Sequence, residues 1–158
     1  MSRPADGLVH PIPLLAVALL VVNDHVLKGS AAPGWLTGKL SDGAGMVFFP
    51  LFLQAAGEWL VARTGRPWGP SRRALVGSAV ATAVVFSLVQ VWPPATAAYQ
   101  WGLGLLQWPP RQALALVGGR GWIDLAPVAV TPDPTDLITV PFVVVAVAVG
   151  WRRAGPTA

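Results

Sequence analysis

The chain has 158 residues, of which 54% are apolar and only 11% charged, with a formal net charge of +4. Soluble domains carry roughly 45–50% apolar and about 25% charged residues, so too few polar side chains are present to cover a water-facing surface. With no cysteine there are no disulfides, thiolate catalysis or Cys-based metal sites. The basic residues stand at the ends of apolar blocks rather than among exposed aromatics, which argues against nucleic acid as a partner.

The first apolar block has its centre at Ile12–Val22. It reaches the roughly 17–25 residues of a membrane span only as Leu8–Leu27, which carries Asn23, Asp24 and His25 into the helix. A signal peptide is the rival account, with Ala31-Ala32 as a cleavage site. The polar stretch Asn23–Lys28 makes the intervening segment long for a cleavage region, so a retained helix is expected.

The second block runs Gly43–Ala62, and Ser41 or Asp42 is placed to cap it by accepting free backbone N–H bonds. It contains Pro50, and Gln54 and Glu58 one helical turn apart, with Arg63 and Arg66 in reach to neutralise Glu58. The third block, Ala74–Trp92, carries Gly77, Ser78, Ala81 and Thr82, small side chains that let helices approach closely. Gln90 is placed to hydrogen-bond across the bundle.

Residues 93–133 form a long link. Ala98, Trp101, Leu105 and Trp108 recur at helical spacing opposite Gln100, Gly104 and Gln107, which predicts an amphipathic helix lying on the outer surface. Pro109-Pro110 is expected to end it. Beyond it, residues 113–117 and 122–130 flank Gly-Gly-Arg-Gly and suggest a short hairpin. The fourth block spans 134–151, where Asp133-Pro134-Thr135-Asp136 reads as a capped helix start, and Pro141 interrupts it.

Arg3, Arg63, Arg66, Arg72, Arg73, Arg152 and Arg153 fall on one side of this arrangement, against Lys28, Lys39, Arg111 and Arg120 on the other. The positive-inside rule then puts both termini in the cytoplasm. The expected fold is an all-α, four-transmembrane-helix bundle. It forms one membrane domain over 1–158, with helices at 8–27, 43–62, 74–92 and 134–151 and an outer segment at 93–133.

This topology gathers Asp24, His25, Lys28, Lys39, Ser41, Asp42, Asp133 and Asp136 at the outer ends of three helices. Charges at membrane depth cost at least about 2.5–3.5 kcal/mol each, so such residues have partners or a role. Structural accounts exist for each: Asp24–Lys28 as an exposed helical pair, Asp42 and Asp136 as caps, and His25 as a local hydrogen-bonder. However, the two lysines in a chain that otherwise uses arginine both flank this cluster. No Gly-x-Ser-x-Gly, His-Glu-x-x-His or phosphate-binding glycine loop is present. The acidic groups lack the spacing of a metal site, and no cofactor is expected.

Asn23-Asp24-His25-Val26-Leu27-Lys28, then Leu36-Thr37-Gly38-Lys39-Leu40-Ser41-Asp42-Gly43-Ala44-Gly45, and later Asp133-Pro134-Thr135-Asp136-Leu137, resemble a family of small bacterial multi-pass membrane proteins with no assigned activity. A weaker similarity is to the VanZ-like family of envelope proteins, which pair a charged motif opening the second helix with Asp-x-x-Asp-Leu opening the last. Lys39–Asp42 and Asp133–Leu137 occupy those places, whereas the family's histidine is missing and Pro141 replaces an asparagine. These resemblances imply a bacterial inner-membrane location and a polar site on the outer face.

The expected role is binding of a membrane lipid or envelope headgroup, or of a partner membrane protein or second copy, through that cluster. Two alternatives stand beside it. One is an envelope enzyme acting on a lipid-linked substrate with Asp42 or His25 as acid or base. The other is a transporter subunit with Asp24, Gln54 and Glu58 along a polar path.

Overall fold

The computed structural model describes residues 5–30, 33–67 and 69–154; Arg3, Ala31-Ala32 and Trp68 lie outside them. All regular structure among the described residues is helical. A 3-10 turn, Asp6–Val9, precedes α1 (Pro11–Val22). His10 starts α1 by accepting the Ile12 N–H on its Nδ1, and Pro11 supplies a pre-set first helical residue. The helix continues as a π-helical turn, Asn23–Leu27, closed by the Lys28 N–H on the Asn23 carbonyl.

α2 spans Gly34–Arg63. The expected start at Gly43 is corrected here: the helix begins about two and a half turns earlier, behind Pro33, which offers no side-chain cap. Ser41 and Asp42 therefore lie inside the helix and do not cap it. α3 is Arg72–Val91, and the last block is a 3-10 stretch, Pro134–Phe142, followed by α5 (Val143–Trp151).

Gly34–Arg63, Arg72–Val91 and Pro134–Trp151 are long and apolar enough to cross a membrane; Pro11–Leu27 is apolar but shorter. Large apolar side chains such as Leu15, Val80, Val84 and Val144 stand more than half exposed. A surface of that kind suits hydrocarbon better than water and is compatible with a membrane protein.

The chain divides into two compact units. The first holds residues up to Phe86 and from Thr135 onward. There α1 packs on α2 through Ala16, Ala44 and Val47, with Leu20 and Phe48 beside them. A second core joins Leu51 of α2, Leu75 of α3, and Ala146 and Val149 of α5. Gly150 admits Leu75, whose methyls occupy the space a β-carbon there would take. At the Arg63 end of α2, Glu58 accepts the Ala5 N–H at 3.1 Å and the Gln54 amide at 3.2 Å. Arg63 lies over the Trp59 ring instead of pairing with Glu58 as expected. Arg72 stacks on Trp151 and donates to the Ala154 carbonyl.

The second unit, Ser87–Pro134, holds the last turn of α3 and α4 (Pro93–Val117). Two expectations fail in this unit. α4 runs through Pro109 and Pro110, and 113–117 is helical, so no hairpin forms. Residues 120–133 instead lie along α4 without regular structure, held by a row of residues four apart on the helix. Gln100 accepts the Val128 N–H on its main-chain carbonyl and donates its side-chain amide to the Val130 carbonyl, Trp108 donates to the Ile123 carbonyl, and Gln112 donates to the Gly121 carbonyl and accepts the Ile123 N–H. Gly104, in the same row, lies against the Ala126 backbone. Gln90 accepts the Asp133 N–H within this unit.

Candidate functional site

The π-helical turn sets the geometry of the site. An i to i+5 turn inserts one extra residue, which changes the direction of the side chains after Val22. Asn23 is fully buried against α2. Its amide donates to the Thr37 carbonyl at 2.8 Å and to Ser41 Oγ at 2.6 Å, while its Oδ1 is buried without a partner. Asp24, next along, is exposed and pairs with Lys28 Nζ at 2.7 Å, with Ser41 Oγ at 3.5 Å.

On α2, helical periodicity turns Thr37 and Ser41 toward the first helix and Lys39 and Asp42 toward the last. Lys39 Nζ donates to Asp136 Oδ1 at 2.7 Å and to Thr135 Oγ1 at 2.8 Å. The Lys39 and Asp136 side chains are 24% and 13% exposed, so this ion pair is much better shielded than Asp24–Lys28, at 48% and 49%. The Asp42 carboxyl lies within electrostatic range of Asp136, Lys39 and Lys28. Three carboxyl groups and two ammonium groups thus share one end of the first unit.

Of the residues singled out from the sequence, Asp24, Lys28, Lys39, Ser41, Asp42 and Asp136 come together here. His25 does not join them; its ring bonds back to the Val21 carbonyl of its own helix. Asp136 pairs across to Lys39 in addition to opening its own helical stretch. Asp133 belongs to the second unit. Sequence reasoning passed over Asn23, Thr37 and Thr135 as members of the site. Asn23 and Thr37 do stand in the motif stretch, and the four-residue step from Thr37 to Ser41 was the available signal.

Lys39 also lines an apolar groove of about 260 Å³ between α1, α2 and Phe142. Its walls are Ile12, Leu15, Ala16 and Leu19 of α1, with Leu40, Gly43, Ala44 and Val47 of α2. A second groove, about 610 Å³, runs between α2 and α3 over Gln54, Glu58, Gly77 and Ser78. Between the Asp42 level and Gln54, α2 buries Met46, Val47 and Leu51, about 18 Å of helix with apolar side chains inward. Among the described residues, no three His, Asp or Glu side chains are gathered to hold a metal ion.

No protein-family model, curated protein or solved structure matches the chain.

Proposed function

We propose that this is a four-span membrane protein of the bacterial inner membrane, with both termini cytoplasmic, whose outer polar cluster binds a lipid or envelope headgroup. Pro11–Leu27 makes the fourth span, at the short end of the roughly 17–25 residues a span needs. The observation that carries the binding role is the double position of Lys39. Its ammonium belongs to the polar cluster, and the same side chain lines the apolar groove below. A polar patch joined through Lys39 to an apolar groove matches the two ends of an amphiphile. The arrangement favours binding over catalysis because Lys39 and Asp136 are engaged with each other and His25 is turned away from them. The likeness of Lys39–Asp42 and Asp133–Leu137 to the VanZ-like pattern supports the same placement on the outer face.

Native mass spectrometry of the full chain released from lipid discs tests this proposal, with wild type beside Lys39→Ala and Asp42→Asn. Wild type is expected to retain a lipid that both variants lose. Equal retention by all three would overturn the headgroup site and leave helix packing as the role of the cluster.

A further inference from the structure

Resting on that reading, we infer that the ligand is a phospholipid whose headgroup carries both a phosphate and a primary ammonium, with one acyl chain in the groove under Lys39. The argument begins with charge. Carboxyls and ammoniums stand side by side, Asp24 against Lys28 and Asp136 against Lys39, with Asp42 in electrostatic range of both lysines. A purely anionic headgroup would meet Lys28 at the expense of repulsion from Asp24 and Asp42, whereas a headgroup of both signs complements the pair.

The two ion pairs differ in how readily they exchange partners. Lys39–Asp136 is shielded and joins α2 to the last helical segment, so it holds the site together. Asp24–Lys28 is half exposed and joined only along one helix; pairs of that kind exchange with small loss. Lys28 is then available to the phosphate and Asp24 to the ammonium. The exposed group left to a cation is the Asp24 carboxylate, which only accepts. A primary ammonium supplies three donors; a quaternary one supplies none.

The groove sets the other end of the ligand. Its lining, with Leu15, Leu19 and Val47 along it and Lys39 as its charged member, suits an apolar chain ending in a polar group.

The test uses the full chain in discs of equimolar phosphatidylethanolamine, phosphatidylglycerol and phosphatidylcholine of matched chains, with retained lipid read by native mass spectrometry. Wild type is expected to enrich phosphatidylethanolamine about tenfold over each of the others, the effect of one charge-assisted hydrogen bond. Asp24→Asn, an exposed isosteric change, is expected to abolish that preference while leaving lipid bound. Soluble glycerophosphoethanolamine is expected not to displace the lipid. Enrichment of phosphatidylglycerol equal to that of phosphatidylethanolamine would overturn the ammonium assignment, and displacement by the soluble headgroup would overturn the chain in the groove. Either result, with retention still lost in Lys39→Ala, leaves the headgroup site standing. Indifference to lipid class in wild type together with unchanged retention in Lys39→Ala would overturn both.

Discussion

Lys28 and Lys39 look alike in the sequence and differ in their surroundings. Lys28 pairs with a neighbour one turn away in water-accessible space, whereas Lys39 reaches across to Asp136, nearly a hundred residues along the chain. Removing Lys39 leaves a shielded carboxylate without its cation, so Lys39→Ala is expected to destabilise the fold by about 1–3 kcal/mol. Lys28→Ala is expected to change it by less than about 0.5 kcal/mol. Reversible unfolding in mixed micelles measures both; equal effects would contradict the assignment of one as clamp and the other as exchangeable. That Asp24, Lys28, Lys39, Ser41, Asp42 and Asp136 share one end of the first unit was legible from the ends of the apolar blocks. Their pairings were not, because Ser41, Asp42 and Asp136 satisfy the composition of helix caps equally well, and only the earlier start of α2 at Gly34 takes the first two away from a helix end. The burial of Asn23 depends on the π-helical turn, which no periodic pattern of side chains announces.

At the scale of elements, α3 and the last block follow their apolar runs closely, since each is bounded by arginines, prolines or tryptophans where the hydropathy changes. α4 is the instructive failure. Each proline in a helix removes one N–H and frees the carbonyl four residues back, here those of Leu105 and Leu106, both exposed. Trp108 before the pair and Gln112 after it are tied to the same segment, which supports the helix on both sides of the two prolines. The segment that reads as a hairpin finds its backbone partners in side chains of that helix and in the Gln100 carbonyl, so alternation alone could not reveal it. The row Gln100, Gly104, Trp108, Gln112 makes a direct prediction. Gly104→Ala puts a methyl into the Ala126 backbone and is expected to destabilise the docking by about 1–3 kcal/mol. Amide exchange at Ile123 and Val128 would then quicken roughly tenfold or more. Gly102→Ala, where an added β-carbon meets nothing within 4 Å, serves as the control and should leave those amides unchanged.

For the whole molecule, the first unit is organised as a bundle with two unlike ends. At the Arg63 end of α2, arginines stack on tryptophans and Glu58 is bonded by Gln54 and the Ala5 N–H. At the Lys39 end, mixed charges sit over an apolar groove. Which residues gather at each end was readable from the ends of the apolar blocks, because a long helix carries its two termini to opposite ends of a bundle and this needs no knowledge of packing. The groove was not, because it depends on Ala16, Gly43 and Ala44 being small where α1 crosses α2 and on Phe142 lining it from the last block. The central claim is that a bilayer lipid occupies this groove beneath the cluster. Photo-cross-linking with a phosphatidylethanolamine carrying a diazirine in its chain, followed by peptide mapping, tests it most directly. The account predicts labels concentrated on Ile12, Leu15, Leu19 and Val47, well above those on the exposed Val80 and Val84 of α3, and reduced in Lys39→Ala. Labels spread evenly over every exposed apolar face, and indifferent to Lys39, would contradict it.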